Sequence, residues 1–208
     1  MMKFDPVAAM NLDDLKRVNR LWSRIYPYIA SQILDAFQKD SGQVLELGPF
    51  SGGISVEMAR RCPGLHVTIA DPSSQVLDYL DEEIKSAGLS EKINTRKSAF
   101  SPLVFTDLRF DLVISRGVYF FLDEEGNLFR EILRVLKKGG MAFVGGGFGK
   151  DVPAALMDEI SDESRVLNDR LGRKRVSVTA LEQIFVRAGL SGNSRIVEEG
   201  GLWVTVKK

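Results

Sequence analysis

From residue 43 to residue 144, short apolar runs alternate with stretches of helical periodicity, and this alternation constrains the fold more than any other feature of the chain. Val44-Leu45-Glu46-Leu47-Gly48 reads as a strand ending in glycine, followed by a helix from about Ser51 to Arg61. Leu65 to Asp71 is a second strand. The next helix, capped by Ser73 or Ser74, runs to Ala87-Gly88, where glycine supplies the stop. Ile93 to Lys97 is a weak third strand and Phe110 to Ser115 a strong fourth. A helix from Asn127 to Lys137 places Arg134, Lys137 and Lys138 at the negative end of its dipole. Gly139-Gly140 breaks it before a fifth strand, Met141 to Val144.

Strands alternating with helices imply a parallel sheet covered on both faces. The rest of the chain adds a helical stretch after Pro153 and a capping box, Thr179-Ala180-Leu181-Glu182, opening a helix that ends at Ala188-Gly189. Ser194 to Glu198 and Leu202 to Val206 then form an antiparallel pair around Glu199-Gly200-Gly201. The expected fold class is therefore α/β. It is a seven-stranded, mostly parallel Rossmann-like sheet with helices on both faces and a C-terminal antiparallel strand pair.

The first forty residues follow a different rule. Leu12, Leu15, Val18, Leu21, Trp22 and Ile25 recur at spacings of three and four after an N-cap at Asn11. Pro27 interrupts the pattern, and Ile29, Ile33, Leu34 and Phe37 define a second amphipathic helix that ends at Asp40-Ser41-Gly42. No linker-like composition follows. Residues 1–40 are accordingly read as an N-terminal helical cap and 41–208 as the Rossmann-like core of a single domain, for which 208 residues is an ordinary length.

Composition removes several function classes. Lys+Arg and Asp+Glu both number 28, so a formal net charge of zero argues against whole-protein attraction to nucleic acid or to an anionic membrane. The densest basic group, Arg170, Arg173, Lys174 and Arg175, reads as a solvated segment before a helix rather than a phosphate site. The lone Cys62 and lone His66 exclude an internal disulfide and leave no cluster for a metal. His66, early in its strand, and Cys62, at a helix end, are read as structural. Residues 1–5 lack an apolar run of signal-peptide type and no later segment is long enough to span a bilayer, so a cytoplasmic location is expected. No feature of the sequence specifies an oligomeric state.

Ligands of such sheets lie beyond the strand C-termini, where strand order reverses. The residues that matter thus follow the first, second and fourth strands. Glu46-Leu47-Gly48-Pro49-Phe50-Ser51-Gly52-Gly53 lets the backbone turn sharply and approach a ligand, and the following helix offers free N–H groups to an anion. Asp71, 25 residues after Glu46, is placed either to accept both hydroxyl hydrogen bonds of a ribose or to cap the turn before Pro72.

Val44 to Gly52 resembles the first motif of class I S-adenosylmethionine (SAM) dependent methyltransferases. Phe110 to Ser115 resembles their fourth-strand motif, and Leu133 to Gly140 the helix and turn before their fifth strand. Ala188-Gly189-Leu190 with the two strands after it is similar to their closing hairpin. The resemblance covers roughly residues 41 to 208 and implies a SAM-binding enzyme. Glu46, Gly48, Pro49, Phe50 and Gly52 would shape the site for the methionine end, Asp71 would hold the ribose, and Pro72 would lie near the adenine. Ser98 and Ala99 would contact the adenine edge, and Ser115 and Arg116 would face the reaction centre. Two positions depart from the family pattern: Phe50 stands at its middle glycine, and Ser98 at its acidic residue after the third strand.

The implied chemistry, in-line displacement at a sulfonium carbon, needs alignment and exclusion of water more than an acid–base dyad. Methylases of adenine or of glutamine amides commonly carry Asn-Pro-Pro-aromatic where this chain has Ser115-Arg116-Gly117-Val118. With zero net charge, that favours a small-molecule acceptor and neither nucleic acid nor membrane as partner. Arg116 is a candidate to pair with an anionic acceptor, or to form a salt bridge with Asp123, Glu124 or Glu125. Tyr119, with Phe120 and Phe121, is placed to meet the sulfonium or the acceptor, or to pack in the core. Tyr26, with Trp22 and Tyr28, is expected to bring the cap over the cofactor. Gly145 to Gly149 reads as a hinge, a close approach for a bulky acceptor, or a plain turn. Two other readings compete. One is a non-catalytic SAM-binding module, for which Phe50 is the best support. The other is an NAD(P)-dependent oxidoreductase, whose three-glycine fingerprint lacks its middle glycine at Phe50.

Overall fold

The computed structural model describes residues 10–208. One sheet contains β1 (Ser41–Leu47), β2 (Gly64–Asp71), β3 (Ile93–Lys97), β4 (Phe110–Arg116), β5 (Leu136–Gly147), β6 (Ser194–Val197) and β7 (Gly201–Lys207). Its order is β3-β2-β1-β4-β5-β7-β6. The first five strands are parallel and β7 is antiparallel to both of its neighbours. The order reverses between β1 and β4, which opens a crevice at their C-terminal ends. The inserted antiparallel β7 separates this topology from the 3-2-1-4-5-6 order of dinucleotide-binding dehydrogenases.

The helices are α1 (Leu12–Trp22), α2 (Tyr26–Phe37), α3 (Gly53–Arg61), α4 (Ser74–Ser86), α5 (Asn127–Val135), α6 (Ala154–Arg170) and α7 (Val178–Ala188). The pleat sends alternate strand residues to opposite faces, so the sheet is buried twice. Val44, Leu112, Ile114 and Phe143 pack with α1–α4 and α6, whereas Leu45, Val113, Ala142 and Val144 pack with α5 and α7. The two N-terminal helices share the first of these cores. Leu15, Val18, Ile25 and Ile29 have no exposed surface, and burying a side chain of this kind contributes about 1.5–3 kcal/mol.

Local signals chose most boundaries. The Asn11 side chain accepts from Asp14 N–H at 3.0 Å, opening α1 as expected. Pro27 sits in the first turn of α2, where its missing N–H costs nothing, and so begins a helix rather than interrupting one. Two expectations are corrected. Ser177, not Thr179, caps α7, accepting from Ala180 N–H at 3.1 Å. Its extended backbone suits a cap, and Thr179 lies inside the first turn. α5 stops at Val135 and β5 begins at Leu136, so Gly139-Gly140 lies within a strand. Sheet pairing overrides the helix-stop signal there: Leu136 pairs with Phe110, Gly139 N–H donates to Lys208 O at 2.8 Å, and Lys137 meets Asp111 at 2.7 Å.

Among the described residues, no helix is long and apolar enough to cross a membrane, and no group of three or more His, Cys, Asp and Glu is placed to hold a metal ion.

Candidate functional site

The turn after β1 is held by a buried carboxylate. Glu46 points to the face that carries α3, where its Oε2 accepts from Gly52 N–H at 2.9 Å and from the Ser55 hydroxyl. The side chain is fully buried. Burial pushes its carboxyl up to about 7, against the opposing pull of the Ser55 and Gly52 hydrogen bonds. Glu46 therefore shapes the site by folding the loop onto its own strand. Sequence reasoning missed Ser55, although its position one turn into α3 after Gly52 was a usable signal.

Gly48 adopts φ +104° and donates to Ala70 O at 3.0 Å, tying β1 to β2 at their C-terminal ends. A Cβ on Gly48 would lie 2.7 Å from the Phe121 ring, so only glycine admits that ring. Phe121 in turn stacks on Phe100 with centroids 3.9 Å apart and planes at 16°. Asp71 is fully buried at the end of β2, and its Oδ1 accepts from Ser73 N–H at 2.7 Å. Ser98 N–H donates to Asp71 O at 3.1 Å, which brings the loop after β3 alongside. The structure thus gathers Glu46, Gly48, Gly52, Asp71 and Ser98 at the C-terminal ends of β1, β2 and β3. Pro49 is buried in the turn, Pro72 is half-buried beside Asp71, and Ala99 is exposed.

Two hydroxyls expected to face the crevice are engaged elsewhere. Ser115 Oγ donates to Leu47 O at 2.8 Å, bracing β4 against β1. Ser98 Oγ donates to Ala99 O at 2.7 Å and accepts from Val104 N–H at 3.2 Å, closing its own loop.

Phe50, the departure from the glycine pattern, is a core residue. Its ring is fully buried, with centroids 5.3 Å from Trp22 and 4.4 Å from Phe120. It thereby joins the cap to the turn after β4. Trp22 Nε1 donates to Ser164 Oγ of α6 at 2.9 Å, and the Arg116 guanidinium lies 3.3 Å from the centroid of the Trp22 ring.

Arg116 makes none of the salt bridges considered from sequence. Asp123 instead caps α5, accepting from Asn127 N–H at 2.9 Å and Leu128 N–H at 3.0 Å. Arg116 Nε and Nη2 both donate to Gly147 O, at 3.2 and 3.0 Å. Burial lowers its pKa to about 10, and the charge of Arg173 pushes the same way. Arg116 lines a 280 Å³ cavity at the ends of β4 and β5, together with Tyr119, Gly146, Gly147 and Arg173. Tyr119 is anchored by its hydroxyl, which donates to Leu202 O at 2.7 Å, and burial raises its pKa. Gly146 and Gly147 belong to this wall, so part of the glycine run is strand backbone beside the cavity rather than a free turn.

Tyr26 lies on Gly53 at the start of α3, and its hydroxyl donates to Asn19 Oδ1 at 3.2 Å. It borders a second cavity of about 600 Å³ between α1, α3 and α4, which reaches Ser51, Gly52 and Gly53. Tyr28 is half-buried against the same core. His66 is exposed early in β2 and Cys62 is half-buried at the end of α3. His66 lies at the end of β2 away from Asp71, and Cys62 packs against the core as a small residue.

A parallel sheet extended by an antiparallel hairpin, with a glycine turn and a buried acid at the reversal point, gives the chain the fold of class I SAM-dependent methyltransferases. Residues 45–144 match the family described as a methyltransferase domain, and SAM is the cofactor of that class. Among solved structures, a Methanococcus maripaludis protein provisionally assigned as a SAM-dependent methyltransferase is 28% identical with a TM-score of 0.80, over 93% of this chain and 91% of that one. A SAM-dependent methyltransferase from Aquifex aeolicus has the same fold, with 19% identity and a TM-score of 0.63, over 98% and 97%. Among curated proteins, the release factor glutamine methyltransferase of Chlorobaculum tepidum is 34% identical over 46% of this chain and 33% of its own length. The ribosomal RNA small subunit methyltransferase C of Escherichia coli is 28% identical over 62% of this chain and 39% of its own. The chain thus spans less than half the length of these curated relatives.

Proposed function

We propose that this chain transfers the methyl group of SAM to a small-molecule acceptor bound beyond the C-terminal ends of β4 and β5. The observation that carries the reading is the Gly48–Gly52 turn, braced by Glu46 and flanked by buried Asp71, at the point where strand order reverses. The residues present fit the cofactor. Gly48 and Gly52 both adopt positive φ, which turns the backbone sharply at the strand end, and the buried Ser51 hydroxyl, just before α3, has no hydrogen-bond partner among the described residues.

Bound SAM supplies an electrophilic methyl group and a good leaving group. Asp71 would hold the ribose, with Pro72 and Ala99 beside the base. Backbone N–H groups at the start of α3, with Ser51, would receive the carboxylate. Trp22, Phe50 and Phe120 form a packed apolar wall that keeps water out. Arg116 and Tyr119 are held by backbone carbonyls at the acceptor side, so that they orient a bound molecule without moving.

The relatives' names point to a glutamine residue and to ribosomal RNA. A small acceptor is favoured for this chain by the 280 Å³ size of the cavity and by Ser115-Arg116-Gly117-Val118, which lacks the Asn-Pro-Pro-aromatic sequence. Calorimetry with SAM, S-adenosylhomocysteine and NAD tests the cofactor half. SAM and its product should bind and NAD should not; NAD binding without the sulfur compounds would overturn the reading. Transfer of a labelled methyl group to candidate acceptors then separates an enzyme from a non-catalytic SAM-binding module.

A further inference from the structure

The cavity at the ends of β4 and β5 has an unusual charge balance. Among the described residues, its wall carries Arg116, Arg173, Lys174 and Arg175, and no Asp or Glu. Three of these come from the segment between α6 and α7, whose backbone is fixed onto the turn after β4 because Lys174 N–H donates to Tyr119 O at 3.1 Å. The four cations are neutralised unequally. Arg175 meets Asp169 at 3.6 Å, and Lys174 Nζ donates to Leu122 O at 3.1 Å. The Arg173 side chain makes no hydrogen bond or ion pair among the described residues.

Arg116 is only 6% exposed, and its partners are a carbonyl and an indole face, neither of which cancels its charge. A buried cation without a counter-charge is costly, and a like charge in the same wall adds to that cost. Both costs fall when an anion enters. The remaining wall is apolar, from Trp22, Tyr119, Phe120, Val176 and Leu202. Buried Asn168 Oδ1, in the same wall, lacks a hydrogen-bond partner among the described residues and can receive a donor from the ligand. A volume of 280 Å³ lies near the lower end of small-molecule pockets, about 300 Å³ and upwards.

We infer that the acceptor is a small carboxylate or phosphate-type anion on an aromatic or apolar skeleton, its charged group received between Arg116 and Arg173. This deepens the methyl-transfer reading by assigning the acceptor class, while the anion site itself stands on the cavity alone. The basic segment read from sequence as merely solvated thus becomes one wall of a binding site.

The test is calorimetry on the cofactor-free protein with benzoate, phenylphosphonate and the neutral benzamide, repeated on Arg173→Gln. At least one anion should bind about tenfold or more tightly than benzamide and weaken by a similar factor in the variant, because hydrogen bonds to charged groups contribute about 1.5–3 kcal/mol. Which anion is preferred identifies the head group. Equal binding of benzamide, indifference to Arg173→Gln, or no binding of any probe would overturn the inference. So would Arg173-dependent binding of a uridine hexamer when neither small anion binds, which would make the site an RNA contact. SAM titration of both proteins separates the two readings. SAM binding without anion discrimination sinks this inference alone, whereas anion discrimination without SAM binding sinks the cofactor reading alone.

Discussion

The Arg116 guanidinium stacks 3.3 Å from the centroid of the Trp22 ring, so the C-terminal end of β4 and the C-terminal end of α1 are joined through a cation and an indole. Trp22 also holds α6 through Ser164, and its ring packs on Phe50 of the glycine turn. One side chain thereby connects the cap, the glycine turn after β1 and the cavity at the ends of β4 and β5. Trp22→Phe keeps an aromatic face but removes the indole donor and leaves buried Ser164 with one partner fewer. The expected destabilisation is about 1–3 kcal/mol, read from urea unfolding. A double-mutant cycle of Trp22→Leu, which removes the aromatic face, with Arg116→Gln should give a coupling near 1 kcal/mol, the size of a partly desolvated cation–π pair. Additive losses would mean that the stacking contributes nothing.

Glu46 makes stability depend on pH. Its folded pKa is raised from an ordinary 4.5 to about 7, chiefly by burial. In the window between these values the folded protein binds more protons than the unfolded chain. Stability is therefore full below about pH 4.5 and falls as pH rises towards 7. Linkage sets the loss at no more than about 3.5 kcal/mol. Glu46→Gln cannot ionise, so urea midpoints measured between pH 5 and 8 should fall for the parent and stay nearly level for the variant. Parallel profiles for the two proteins would refute the assignment.

What was legible in the sequence was local. Gly48, Gly52 and Asp71 lie within one strand-turn-helix-strand unit, so their spacing along the chain fixes their meeting in space. The cavity was not legible. Arg116, Asn168 and Arg173 come from β4, α6 and the segment after it, and only packing of α6 on α1 with the α6–α7 segment on the β4 turn brings them together. Phe50 looked like an obstacle because its loop position is readable and its rotamer is not. The Gly139-Gly140 misreading has a similar origin. A glycine pair after a basic helical turn is the same signal for a helix stop as for an irregular strand start, and pairing with β4 decides between them.

Asp71→Asn isolates the carboxylate. Asn keeps an oxygen able to accept from Ser73 N–H, so the unfolding midpoint should shift little. Loss of the charge should weaken SAM about tenfold or more by calorimetry, the equivalent of one charged hydrogen bond. Unchanged affinity with an intact fold would return Asp71 to the role of a turn residue.

Gly48→Ala probes the close approach that makes the crevice. The substitution forces a Cβ onto a backbone at φ +104° and places it 2.7 Å from the Phe121 ring. These are separate penalties. Backbone strain of this kind costs about 1–3 kcal/mol and persists whatever the neighbour does. The collision with Phe121 can be relieved by truncating the ring. The expected order of urea midpoints is parent, then Phe121→Ala, then Gly48→Ala, and the double variant should lose less than the sum of the two single losses. SAM affinity should fall in Gly48→Ala and stay low in the double variant, because the strain at φ +104° distorts the turn in either background. Recovery of SAM binding on removal of the Phe121 ring would instead show that the ring, and not the glycine backbone, controls entry to the crevice.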